Sequence, residues 1–174
     1  GSNDWTTSEL NKTNLNTNYW NKLGSKWKNM IATTTWHLGD LDSGFHTAKE
    51  SYIGERNNAE SSIRPTIYTD EIGLMYPSDY GYATIPDNWS KNIYSYRSSE
   101  NINNNWMFMG ITEWAINPET SSGSRVMVLY SDGSLSSNGV GREFGVRPVF
   151  YLKTNVKIVD GNGSSSDPYR LELK

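Results

Sequence analysis

The sequence predicts a mixed α+β domain, and three observations carry that prediction. Helical signals are confined to the stretch from Trp5 to Ile31. From Thr33 onward, short β-branched and aromatic runs alternate with turn residues, the pattern of strands joined by loops. The most apolar of these runs, Phe144 to Leu152, follows a turn-rich segment and reads as a buried strand. Within it Val149 to Leu152 is the central part, and Gly145-Val146-Arg147-Pro148 is an irregular entry, because proline cannot donate to a sheet ladder.

Length and composition set the limits. A chain of 174 residues makes one domain, and 13% aromatic content with seven Trp and eleven Tyr can fill its core. The mean hydropathy of -0.69 and the many Asn, Ser and Thr describe an uncharged polar surface. A formal charge of -3 gives no electrostatic reason to expect nucleic acid or an anionic membrane as partner. With no Cys there is no disulfide framework, thiolate zinc site or cysteine nucleophile. No signal peptide or membrane span is read from the sequence, and no direct membrane insertion is expected; residues 1–4 read as a tag or linker remnant.

In chain order, Thr7 or Ser8 can cap a helix carrying Leu10, Leu15, Tyr19 and Leu23, but the Asn and Thr between them are poor helix formers. Two short helices are therefore expected, broken at Gly24-Ser25, the second with an apolar stripe of Trp27, Met30 and Ile31. Thr33 to Leu38 reads as a strand, Gly39 to Ala48 as a loop, and Ile63 to Tyr68 as another strand. Ile72 to Ala83 starts extended and breaks at Pro77-Ser78-Asp79. Ser78 and Asp79 invite a catalytic reading, but no motif supplies a matching base, so they close a turn through bonds to backbone. Thr84 to Asn105 reads as a long loop with one helical turn, and Trp106 to Ile111 as an apolar strand leading to Glu113-Trp114. Asn117 to Ser124 is expected to be a loop, Arg125 to Tyr130 a strand, Asp132-Gly133 a tight turn, and Leu135 to Val140 the return strand. Residues 156–174 read as a C-terminal hairpin.

No metal or other cofactor is called for. His37 and His46 have no carboxylate or cysteine pattern around them, and a metal site needs convergent ligands with outer support. Asp160, Asn162, Ser164 and Asp167 resemble an oxygen cage, yet the string lacks the glycine and the closing glutamate of an EF-hand. Arg147, set in so apolar a run, needs a carboxylate, and Glu113 and Glu55 are the candidates.

Several strings occur together and in order: Trp36-His37-Leu38-Gly39, Glu55-Arg56, Ile72 through Ala83, Glu113-Trp114, Gly145 through Leu152, and Asp167-Pro168-Tyr169. In this the chain resembles, over nearly its whole length, a family of domains of unassigned activity from Firmicutes-type bacteria, found on exported, surface-attached or pilin-like proteins. More distantly, Glu-Trp, loop, strand, tight turn and Gly-x-Arg-Pro-Val is similar to the C-terminal half of the C-type-lectin-like fold. Formylglycine-generating enzymes and the variable receptor-binding proteins of diversity-generating retroelements share that fold. The resemblance implies two N-terminal helices with a small twisted antiparallel sheet and long loops, in a single domain spanning 1–174, placed extracellularly on a bacterial surface or pilus.

Departures from the pattern limit the function. Formylglycine generation needs cysteines, which are absent. Calcium-dependent sugar binding needs ordered triplets, and Asn117-Pro118-Glu119 and Asp87-Asn88-Trp89 run in the wrong order. What the resemblance leaves is a non-enzymatic, adhesin-like binding module for a protein or glycan on a host or neighbouring cell. A pilin-like or stalk subunit packing against copies of itself is the alternative. The ligand is expected on the loop face between Glu113 and Arg142, contacted by Trp114, Asn117, Ser121, Asp132 and Arg142, with Arg147, Glu113 and Glu55 as structural charges.

Overall fold

The computed structural model describes residues 1–42, 46–57 and 64–174. It is a mixed helical and antiparallel-sheet structure. A turn at Trp5–Thr7, capped by Asp4, leads into a helix at Leu10–Tyr19 that runs on as α1, Trp20–Lys22. The first of these winds wider than an α-helix, and its Asn and Thr side chains show why. Thr17 Oγ1 donates to Lys12 O at 2.7 Å and the Asn16 amide reaches Asn11 O at 3.4 Å, both five residues back. Such side chains compete with the backbone for the carbonyls of the preceding turn. Leu23 and Gly24 are extended, and α2 follows at Ser25–Met30, so the break lies where Gly24 predicts it.

The remaining helices are short and capped. In α3, Ala48–Glu55, Thr47 and Glu50 form a reciprocal capping box. Pro77–Tyr82 forms α4, not the turn expected there. Pro77 sits at its first position and the Asp79 carboxylate accepts the Tyr76 N–H at 3.0 Å. Tight turns at Pro86–Asn88 and Ile93–Arg97 and helix α5, Ser99–Asn103, give the long segment from Thr84 more structure than a loop.

Three antiparallel sheets are present among the described residues. β1 (Thr34–His37) pairs with β2 (Ile67–Asp70); the expected strand at Ile63 to Tyr68 falls partly outside the described residues, as does the loop at Gly39 to Ala48. The central sheet runs β3 (Glu113–Pro118), β4 (Arg125–Leu129) and β5 (Leu135–Gly139). The third is the C-terminal hairpin of β6 (Val156–Asp160) and β7 (Arg170–Leu173). Gly133, with φ of +83°, makes the turn between β4 and β5 that a side chain would strain.

Both faces of the central sheet are covered, because side chains alternate along a strand. Trp114, Ile116 and Val128 join Trp5, Leu15, Trp36 and Leu74 on one side. Ala115, Met127 and Leu129 join Met75, Tyr80, Tyr96 and Met107 on the other. On the first side the Trp36 indole lies against Gly73 so closely that an added Cβ would sit 2.7 Å from the ring.

Two strand expectations are overturned. Trp106 to Ile111 is an irregular turn, with Trp106 81% exposed, and the strand begins at Glu113 and includes Asn117 and Pro118. Phe144 to Leu152 is not a buried strand either: it is extended but half-buried to exposed, held by three isolated bridges, Glu113 to Gly145, Gly73 to Val149 and Ile31 to Leu152. Pro148 has no N–H to give, and each bridge meets a different partner, so no ladder develops.

Residue 3 is packed into the fold. Asn3 is buried, and its amide donates to Ser122 O and Arg125 O, each at 2.7 Å, while its oxygen accepts from Arg64.

Candidate functional site

A half-open groove of about 560 Å³ lies between the N-terminal segment and one face of the central sheet. Its floor is apolar: Leu74, Trp114, Ile116, Val126 and Phe144 lie along it, and the Trp114 and Phe144 rings sit 4.8 Å apart. Its rim is charged, with Asp4 and Glu9 on the N-terminal side and Arg142 and Glu143 opposite. An apolar bed with a few convergent polar groups is the usual make-up of a small-ligand site, and the volume suits one.

Of the five residues expected to contact ligand, this groove gathers two. Arg142 is exposed on its rim, and Trp114 forms its floor while being 9% exposed, so its ring is mostly core. Asn117 is a correction. It is fully buried, its amide donates to His37 O at 3.3 Å and Gly39 O at 3.0 Å, and no ligand can reach it. Ser121 is exposed but turns its hydroxyl onto Glu119 at 2.6 Å. Asp132 accepts from Ser134 N and Oγ at 2.9 and 2.6 Å, closing its own turn. Ser121 and Asp132 line no part of the groove.

The structural charges fall into two separate pins. Arg147 Nη2 meets Glu113 Oε1 at 2.5 Å, and Nη1 donates to Met107 O at 3.0 Å. The pairing is end-on: Arg147 Nε and Glu113 Oε2 are both buried without a partner. Burial raises the Glu113 carboxyl, against the pull of Arg147.

Glu55 serves another place. Fully buried, it accepts Ser78 N at 2.6 Å, Ser78 Oγ at 2.5 Å and Arg56 Nη1 at 2.8 Å, while the Arg56 guanidinium lies 3.8 Å over the Tyr52 ring. Burial pushes its carboxyl up to about 7, against the Ser78 bonds and the Arg56 charge. A serine bonded to a carboxylate with so high a pKa has the outline of a nucleophile and base. Both side chains are sealed from solvent, however, and what the carboxylate holds is the first turn of α4.

One surface was hidden from sequence reading. Tyr82 and Trp89 stand edge to face at 5.3 Å, each about two-fifths exposed, with Trp89 Nε1 fixed on Thr84 O at 3.1 Å. The backbone N–H of the exposed Trp106 donates to the carbonyl of Ala83, the residue after Tyr82, at 3.0 Å. Reading Trp106 to Ile111 as a strand concealed these residues, although three asparagines before Trp106 and Gly110 after it are turn signals.

Among the described residues no group of three or more His, Cys, Asp or Glu is placed to hold a metal ion, and no helix is long and apolar enough to cross a membrane. Comparison of the chain with protein-family models, with curated proteins and with solved structures yields no match.

Proposed function

We propose that this chain is a non-enzymatic ligand-binding domain of C-type-lectin-like architecture, carried on a bacterial surface or pilus protein. Its ligand is a protein or glycan seated in the groove above Trp114. The observation that carries the reading is that groove: an aromatic floor held by the core, with Arg142, Glu143, Asp4 and Glu9 around its mouth. Rigid aromatics beneath adaptable polar groups are the composition of recognition surfaces. The outward-facing, uncharged polar character of the chain and its resemblance to surface-attached domains support an extracellular setting.

The test begins with a glycan-array and host-cell binding screen. With a ligand in hand, Arg142→Ala and Glu143→Ala are compared with Trp106→Ala. The groove reading expects Arg142→Ala to weaken binding by about thirtyfold, the loss typical of a hot-spot residue, with an unchanged melting temperature. Normal binding by both rim variants together with loss in Trp106→Ala would move the site to the Tyr82–Trp89 surface.

A further inference from the structure

The C-terminal hairpin is a sheet that stops at two strands, and in water two strands alone are marginal. Its side chains are sorted by face. The register pairs Val156 with Leu173 and Ile158 with Leu171, so these four share one face; Lys157 pairs with Glu172 and Asp160 with Arg170 on the other. The apolar face is left open, with Ile158 60% and Leu173 43% exposed.

Backbone direction identifies the free edge. Lys174 N donates to Asn155 O at 2.9 Å, so residues 174 and 172 turn their peptide groups inward. Leu171 and Leu173, alternating with them, turn theirs outward, and no strand lies beyond β7 among the described residues. The sequence along that edge, Tyr169-Arg170-Leu171-Glu172-Leu173, complements itself when run antiparallel.

We infer that β7 pairs antiparallel with β7 of a second copy of this chain, on a twofold axis through Leu171, making a continuous four-stranded sheet. The register places Leu171 opposite the second copy's Leu171, Tyr169 opposite its Leu173, and Arg170 opposite its Glu172. The outward peptide groups of residues 169, 171 and 173 then meet one another, as a ladder requires. Arg170 already has Asp160 within 3.1 Å on its inner side, and Glu172 has Lys157 across the ladder on its own. The joined sheet therefore carries rows reading Asp160, Arg170, Glu172 and Lys157, the last two from the second copy, with charges alternating throughout. Opposite charges across strands favour a register and like charges oppose it. The outer edge of β6 has no such symmetry: a twofold through Ile158 would set Lys157 against Val159.

This interface is independent of the ligand groove. Sedimentation over a wide concentration range should show a monomer–dimer equilibrium. Arg170→Glu and Glu172→Arg should each weaken the dimer about tenfold, and the double exchange should restore it, because residues 170 and 172 again meet with opposite charges across the twofold axis. Thermal melts of each variant check that the monomer is folded. Since the chain has no cysteine, Leu171→Cys should form a covalent dimer under mild oxidation, while Ser165→Cys, at the hairpin tip, should not. Opposed Cα atoms about 5.5 Å apart on the axis suit a disulfide. A monomer at all concentrations, single reversals without effect, a double exchange that fails to restore association, or equal crosslinking at both cysteines would each overturn the inference.

Discussion

Strand β3 reads Glu-Trp-Ala-Ile-Asn-Pro, with an ion-pairing acid, an amide and a proline among its six residues, yet every one of them is buried. Strands β6 and β7 read Val-Lys-Ile-Val-Asp and Arg-Leu-Glu-Leu, apolar and charged residues alternating up to a register shift between Ile158 and Asp160, yet none of their residues is buried. Both belong to antiparallel ladders. The difference shows that strand propensity reports how well residues suit a pleated surface, while burial is settled by what packs on the two faces. The polar residues of β3 are tolerated because each has a dedicated partner: Glu113 has Arg147, and Asn117 has two carbonyls at the end of β1.

Four measurements can break or sharpen that contrast. Arg147→Ala should cost the most, about 3–5 kcal/mol, because it strands a buried carboxylate. A chemical-denaturation midpoint like the parent's would show that β3 needs no such pin. Glu55 tests the second pin through pH. Burial raises its carboxyl from the ordinary 4.5 to about 7, so the folded protein holds a proton there that the unfolded chain has released. Stability therefore falls as pH climbs through that window and levels off above it, by up to about 3 kcal/mol. Glu55→Gln should lose this decline; a parent-like slope in the variant would assign it to other groups. Asn117→Ala should destabilise by about 2 kcal/mol, since it removes both bonds that the buried amide donates, to His37 O and Gly39 O, and a melting temperature within error of the parent's would remove it from the structural set. Ile158→Ser on the open hairpin should stay within about 0.5 kcal/mol in dilute solution, where a larger loss would mean that the apolar face is covered within the monomer.

The break at Gly24, β1, β4, β5, the Asp132–Gly133 turn and the terminal hairpin were legible because each depends on local chemistry, whereas α3, α4 and α5, which follow β1, lie outside the stretch where helix was expected. Gly24 and Gly133 meet turn requirements, and Arg125 to Leu129 is a β-branched run closed off by turns. Where tertiary packing overrules local pattern, reading failed. Trp106 to Ile111 is as apolar as a strand but, Met107 apart, lies largely on the surface, and Asn117 is as polar as a loop but lies in the core. The groove was half legible, through Trp114 and Arg142. Its other wall is residues 1–10, whose packing across the sheet rests on contacts such as Asn3 to Ser122 that no local pattern encodes.

The three single bridges along Phe144 to Leu152 bear on the order in which the molecule can come together. That one stretch touches residues 31, 73 and 113, which are otherwise far apart along the chain. During synthesis α1, α2 and β1 emerge first, but the segment that laces them to the central sheet emerges near the end. Contacts so distant in sequence must wait for loop closure and slow the folding step. Ribosome-bound chains ending before Phe144 should therefore remain open to protease, and protection should arrive in one step once Leu152 has cleared the exit tunnel.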